Sequence, residues 1–312
     1  MSARPAILVT GADLAPQAMA LLADYEVVFA GRTPDEDGLV ALCEKHQPVA
    51  IIVRYGKITA RVLAASKALR VISKHGSGID TIDSKAAAAQ GVAVRAALGA
   101  NADAVAEHAW ALILACAKNV AGLDARMRAG FWDKATHKSL ELRGKTLGVV
   151  GIGAIGRRVA ELGVAFRMQV LAFDPFAKAA PEGVDLVALD RLLAESHVVS
   201  LNCPLTDDNR RMINRDSLET MRDGAILVNT GRGGLIDEPA LLEALASGKL
   251  RAAGLDAFCT EPLVGEHAFR TVPNVVLSPH IGGVSEDAYV NMGTAAARNA
   301  LEVLSQARPV AA

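Results

Sequence analysis

Short β-rich apolar runs alternate with helical patterns from one end of the chain to the other, and this alternation restricts the fold more than any other feature. Ala6–Thr10, Val27–Ala30, Val49–Arg54, Arg70–Lys74 and Val92–Arg95 read as strands, with Leu14–Ala23, Asp35–His46, Arg61–Ser66 and Ser84–Gln90 as helices between them. A long helix over Ala102–Lys118 follows, then a charged, polar segment from Arg126 to Lys145 that is expected to loop over the surface. The alternation restarts with strands at Thr146–Val150, Gln169–Asp174, Val184–Val187, Val198–Asn202, Ala225–Asn229, Ala252–Ala257 and Val275–Ser278. The expected class is α/β, with two doubly wound parallel sheets, because parallel neighbours need a crossover and a helix supplies it.

Composition agrees. Apolar residues make up 51% of the chain before its 27 glycines are counted, yet aromatics are only 4%. An aliphatic, small-residue surplus suits parallel strands buried on both faces under closely packed helices. At 312 residues the chain exceeds the usual reach of one core, so two domains are expected. A last helix over Ser285–Ser305 has no strand after it and can cross back to the first strand set.

Partner classes narrow by charge. The formal net charge is −1, which favours neither nucleic acid nor an anionic membrane. The longest apolar run, Ala109–Ala117, is too short to span a bilayer, and the N-terminal run breaks at Gly11 and Asp13, unlike a signal peptide. A cytoplasmic protein acting on small molecules is expected. Cys43, Cys116, Cys203 and Cys259 form no C-x-x-C pair, so they are read as buried free thiols, and no metal site is expected.

Gly151-Ile-Gly153-Ala-Ile-Gly156 matches the dinucleotide pattern G-x-G-x-x-G. The bare pattern is weak; its context is not, because it follows the strand Leu147–Val150, opens the helix Arg157–Ala165, and precedes a strand ending in Asp174. Gly151 would allow the tight turn, Gly153 would let backbone N–H groups approach a pyrophosphate, and Gly156 would let helix and strand touch. Asp174 would accept from ribose hydroxyls and repel a 2′-phosphate, favouring NAD over NADP; a plain turn residue before Pro175 is the other reading.

In open parallel sheets ligands sit beyond the carboxyl ends of the strands. Arg232, Glu261 and His280 each follow such an end, in Asn-Thr-Gly-Arg-Gly-Gly, Asp-Ala-Phe-Cys-Thr-Glu-Pro and Ser-Pro-His-Ile-Gly-Gly. Taken singly they could be a structural salt bridge, a solvated carboxylate and a satisfied buried imidazole. Together they fit one chemistry: an imidazole beside a carboxylate carries a proton, while a guanidinium holds an acid and polarises its carbonyl.

With Lys-His-Gly-Ser-Gly-Ile-Asp at 74–80, Asn101, Ala-Glu-His at 106–108, the 144–153 run and Cys-Pro-Leu-Thr at 203–206, the whole chain resembles the D-isomer-specific 2-hydroxyacid dehydrogenases, particularly their phosphoglycerate dehydrogenase-like and hydroxypyruvate reductase-like branch. The resemblance implies a flavodoxin-like substrate domain (1–98 with 285–312) and a Rossmann NAD-binding domain (99–284), with a cleft between them. It makes His280 the general acid/base, Glu261 its orienting carboxylate and Arg232 the substrate clamp. Ser77 and Gly78 would hold the substrate carboxylate through backbone N–H groups. Ala154, Ile155, Cys203, Thr230, Asp256 and Gly282 join the fingerprint glycines and Asp174 as cofactor contacts, with Asp256 receiving the nicotinamide carboxamide.

Substrate identity is left wider. Arg54, with Lys57, Lys74 and His75, would make a basic pocket mouth suited to a second anionic group, as on 3-phosphoglycerate; hydroxypyruvate or glycerate is the other small acid in view, and Arg54 and Lys57 could merely solvate a loop. His137 and Lys138 could reach a neighbouring subunit or simply face solvent. A homodimer is expected, from the resemblance and from the apolar 102–118 helix, and a chain ending soon after its last helix is expected to lack C-terminal regulatory domains. A formate dehydrogenase-like activity is disfavoured because Glu261 stands where those relatives usually carry glutamine. A non-enzymatic NAD-sensing corepressor is the reading from another class, disfavoured because no charged or disordered extension is present.

Overall fold

The computed structural model describes residues 4–306. In chain order its elements are β1 (Ala6–Val9), α1 (Pro16–Leu21), β2 (Glu26–Phe29), α2 (Glu36–His46), β3 (Ala50–Val53), α3 (Ala60–Ala64), β4 (Val71–Lys74), α4 (Ser84–Ala89), β5 (Ala93–Ala96), α5 (Ala102–Lys118), α6 (Val120–Arg128), β6 (Thr146–Val150), α7 (Ala154–Ala165), β7 (Gln169–Phe173), β8 (Val184–Leu186), α8 (Leu189–Glu195), β9 (Val198–Leu201), α9 (Arg215–Thr220), β10 (Ala225–Asn229), α10 (Glu238–Ala246), β11 (Leu250–Leu255), β12 (Val275–Leu277) and α11 (Glu286–Ser305). They divide into two compact units: one takes the described residues up to Asn101 and those from Val284 onward, the other takes Ala102–Gly283.

The first unit is a five-stranded sheet in the order β2-β1-β3-β4-β5, every pair parallel. Its inner strands β1 and β3 are buried at every position, whereas the edge strands β2 and β5 are half-exposed. That difference explains why the inner runs read as unbroken apolar stretches. Helix α11 belongs to this unit: Ser285 caps it by accepting from the Ala288 N–H at 3.0 Å, and it lays a stripe of small residues against α1. A Cβ on Gly293 would stand 3.4 Å from the Ala15 Cβ, so the two helices meet nearly backbone to backbone. The alanine-rich composition has its use here.

The second unit is a seven-stranded parallel sheet in the order β12-β11-β10-β9-β6-β7-β8. Helix α5 lies on it, contacting β10, β11 and α7 and burying Ala106, Ala109, Trp110, Leu112, Ile113, Cys116 and Ala117. Its apolar residues are therefore consumed by this unit's own core and do not form a bare subunit face. The segment expected to loop, Arg126–Lys145, has neither helix nor strand from 129 on, but its first three residues close a helix, Val120–Arg128, with Asn119 in the left-handed region turning the chain between two helices. No residue of α6 is buried, so it carries no apolar periodicity to read. No described helix is long and apolar enough to cross a membrane.

Candidate active site

The seven-stranded sheet reverses its winding between β6 and β9, and the two loops leaving that point touch. Gly151 has φ +88°, and a Cβ there would stand 2.9 Å from both Cβ and N of Cys203. A Cβ on Gly156 would fall 1.9 Å from the Gly151 carbonyl oxygen, so α7 can start this close to β6 only with glycine at that position. Gly153 differs: nothing lies within 4 Å of where its Cβ would be, and it caps α7 without a side-chain hydrogen bond. The first N–H groups of α7, at Ala154 and Ile155, thus head a helix whose positive end is uncapped by protein, a natural seat for phosphate.

Asp174 fastens this turn. Its Oδ2 accepts from the Ile152 N–H at 3.0 Å and its Oδ1 from the Phe176 N–H at 2.9 Å. It is a turn residue as well as a candidate ribose acceptor, since each carboxylate oxygen retains a second lone pair. Thr230, just past β10, has a buried hydroxyl with no partner among the described residues. Such a buried orphan hydroxyl is the kind of group that a bound ligand's polar atoms would satisfy. The Cys203 thiol is pushed up to about 11 by burial, which keeps it protonated and unreactive. The four cysteines are free, but only Cys43 and Cys116 are buried; Cys203 is half-buried and Cys259 exposed, because the last follows a strand end on a surface loop.

The parallel neighbours β10, β11 and β12 deliver Arg232, Glu261 and His280 from one edge of the sheet. The His280 Nδ1 pairs with Glu261 Oε2 at 2.7 Å, and the other carboxylate oxygen, Oε1, accepts from the Phe258 N–H at 2.9 Å. With Nδ1 engaged, Nε2 is the nitrogen left for chemistry. His280 sits at φ +53°, a conformation that a non-glycine residue holds only when its surroundings impose it.

Asp256 imposes it. This carboxylate, almost wholly buried, accepts from the Ile281 N–H (2.9 Å) and the Gly282 N–H (2.8 Å), the two residues after His280. It also accepts the Ser278 hydroxyl proton at 2.6 Å. The Ser278 oxygen, having spent its proton there, can only accept from His108 Nε2, which lies 2.8 Å away. Asp256 is therefore a clamp on the His280 loop, and a Cβ on Gly282 would stand 3.0 Å from its Oδ2. Sequence reading missed His108 and Ser278 in this network; they are 170 residues apart, and only the motif Ala-Glu-His hinted at the first.

The Arg232 loop approaches Glu261's closely. A Cβ on Gly233 would fall 1.9 Å from the Phe258 carbonyl carbon, so the Gly-Arg-Gly-Gly run exists to let two backbones meet. The Arg232 Nη1 donates to the Gly231 carbonyl at 2.9 Å, and its own carbonyl accepts from the Asn229 amide at 2.9 Å, which sets the side chain's exit.

The family described as "D-isomer specific 2-hydroxyacid dehydrogenase, NAD binding domain" matches residues 110–282 of this chain, more than half its length. A hydroxypyruvate reductase of Thermotoga maritima is 43% identical over 247 residues, covering 78% of this chain and 81% of that protein. The chain belongs to the D-isomer specific 2-hydroxyacid dehydrogenases. It is thus an oxidoreductase whose matched unit is an NAD-binding domain. A D-3-phosphoglycerate dehydrogenase of Mycobacterium bovis is 39% identical over 93% of this chain, which spans 55% of that protein's length. The crystal structure of the TT0316 protein from Thermus thermophilus superposes with a TM-score of 0.88 at 37% identity, covering 96% of each chain.

The residues expected to take the substrate, other than Arg232, lie in the five-stranded unit. Ser77 and Gly78 follow β4, with the Ser77 hydroxyl donating to Asn101 Oδ1 at 3.2 Å. Arg54 follows β3, but its guanidinium is already bound to Asp13, and His75 is pushed down to about 4, first by burial and then by the Arg54 charge. At neutral pH His75 is uncharged. Of the four residues expected to make a basic mouth, Arg54 is thus ion-paired and His75 adds no charge at neutral pH. His137 is half-buried with Nε2 unpartnered among the described residues, and the Lys138 carbonyl accepts from Arg251 at 2.7 Å.

Proposed function

We propose that this dehydrogenase interconverts a small D-2-hydroxyacid and its 2-oxoacid with NAD as the hydride carrier. The observation that carries the reading is the His280–Glu261 pair at 2.7 Å, which leaves Nε2 of a positioned imidazole at a strand end beside the Arg232 loop. When bound, reduced nicotinamide supplies hydride to C2 of the oxoacid. In that direction His280 gives its Nε2 proton to the carbonyl oxygen, and Arg232 holds the acid and stabilises charge developing on that oxygen. Glu261 keeps the imidazole in the tautomer and orientation the transfer needs. Ser77 and Gly78 would take the substrate carboxylate through backbone N–H groups.

The residues that would hold the cofactor are Gly151, Gly153, Ala154, Ile155, Gly156, Asp174, Cys203, Thr230, Asp256 and Gly282. Thr230's orphaned hydroxyl and the uncapped start of α7 fit such a ligand. The Asp174 carboxylate supports NAD over NADP, since a 2′-phosphate would meet its charge. Four free thiols support a reducing, cytoplasmic setting. A homodimer is supported by Val120, Met127, Phe131 and Trp132, large apolar residues left exposed in and after α6, and light scattering would test it.

The test of the reaction is NADH oxidation on addition of 2-oxoacids such as hydroxypyruvate. Replacing His280 by Ala should lower turnover by on the order of 10²–10⁴. Near-normal turnover in that variant would remove His280 from the mechanism.

A further inference from the structure

The five-stranded sheet has a winding reversal of its own, between β1 and β3, and such a point is where open α/β sheets admit ligands. Its lips are the segments after those two strands. They are stitched together by Thr10, whose Oγ1 accepts from the Arg54 N–H at 3.0 Å and whose hydroxyl donates to the Tyr55 carbonyl at 2.6 Å. Gly11 makes room for the arginine stem: a Cβ there would stand 3.0 Å from the Arg54 Cδ. The Arg54 Nη1 then donates to both the carbonyl oxygen (2.5 Å) and the Oδ1 of Asp13. Tyr289 of α11 donates its phenol to the same Oδ1 at 2.7 Å, and its ring centre lies 5.0 Å from the guanidinium carbon. The Arg54 side chain is only 12% exposed, whereas Asp13 is 64% exposed.

We propose that Asp13 is a specificity-determining residue: by claiming the Arg54 guanidinium, it presents the far end of the oxoacid with a charge-balanced, hydroxyl-bearing surface that suits hydrogen or hydroxymethyl and disfavours phosphate. The proposal rests on reading the chain as a 2-oxoacid reductase whose substrate carboxylate meets Ser77 and Gly78. Those residues leave β4, the strand beside β3 and about 4.8 Å from it, so both ends of a three-carbon acid fall within reach of one sheet edge. A doubly charged phosphate entering here meets the exposed Asp13 carboxylate first. To reach the guanidinium it must break a pair already made, and like charges set side by side are the usual device for rejecting a wrong partner. The Tyr289 hydroxyl and Arg54 hold the Asp13 carboxyl below the usual carboxylate range, so its charge persists throughout the neutral region.

The experiment compares kcat/KM with NADH for hydroxypyruvate and for its 3-phospho derivative in wild type, Asp13→Ala, Asp13→Asn and the double variant Asp13→Ala/Arg54→Ala. Thermal melts and NADH fluorescence titrations establish that each variant is folded and binds cofactor. Wild type should prefer the unphosphorylated acid. Both single variants should raise the ratio of phosphorylated to unphosphorylated kcat/KM by on the order of tenfold, and the double variant should lose that rise. The proposal fails if the ratio does not move in the single variants, if the rise survives without Arg54, or if wild type already prefers the phosphorylated acid. A wild type that reduces no 2-oxoacid at all overturns the underlying reading of the reaction instead, and the proposal with it.

Discussion

At the scale of single residues, the chemistry turns on which imidazole nitrogen is left outward. Glu261 accepts from two N–H groups at once, Nδ1 of His280 and the backbone of Phe258. A glutamine has one carbonyl oxygen and one amide donor, so it would present a donor to one of them. Glu261→Gln should therefore lower kcat on the order of 10²-fold with a much smaller change in KM for NADH, since the imidazole loses its enforced tautomer. Steady-state kinetics check this, and an unchanged kcat removes the orienting role. The strand-end positions of Arg232, Glu261 and His280 were legible because the alternating pattern marks where strands stop. The clamp by Asp256 was not, because the Ser278 and His108 partners that complete it come from distant segments. His75 adds a pH dependence. Its folded pKa of about 4 lies below the ordinary 6.5, so above pH 6.5 the imidazole is neutral both folded and unfolded, and its contribution is complete. As pH falls from 6.5 toward 4, the unfolded chain takes a proton that the folded one refuses, and about 3 kcal/mol is lost. In His75→Phe, urea midpoints followed from pH 7 to 4 should fall less steeply than in wild type; parallel curves would contradict the buried neutral state.

At the scale of elements, boundaries were readable where a helix or strand is buried and capped, and unreadable where it is neither. Helix α5 begins and ends where its pattern says, because nine of its residues are buried and hold the period. Helix α6 buries none, so no apolar period marked it, and its last three residues, from Arg126, read as the start of a loop. The close fit of α5 on β11 has a mechanical consequence. A Cβ added at Gly254 would stand 2.9 Å from the Leu112 Cβ and 3.4 Å from the Cys116 Sγ, and the first of these belongs to a stem that cannot rotate away. Gly254→Ala should therefore push helix from sheet and cost about 1–3 kcal/mol, despite alanine's better strand entropy. Differential scanning calorimetry would register the lower Tm, and an unchanged Tm would mean that the helix can shift without penalty.

At the scale of the whole molecule, two parallel sheets explain the aliphatic excess and leave charge concentrated at strand ends, so binding energy and stability become linked through the seven-stranded unit. A ligand that binds only the folded state stabilises it by RT ln(1 + [L]/Kd), about 2.7 kcal/mol at a hundredfold excess over Kd. For a dinucleotide seated at the start of α7, this corresponds to a rise of several degrees in Tm for a unit of this size. The choice between cofactors should appear in the same measurement. Asp174 lies at the end of β7 with Oδ2 tied to the Ile152 N–H of the glycine turn and Oδ1 to the Phe176 N–H of its own turn, so its carboxylate cannot swing aside to admit a 2′-phosphate without loosening these bonds. Thermal melts at matched concentrations should thus show a clear Tm rise with NADH and a much smaller one with NADPH. Equal rises would show that the carboxylate does not select, and no rise with either would remove the dinucleotide from this site.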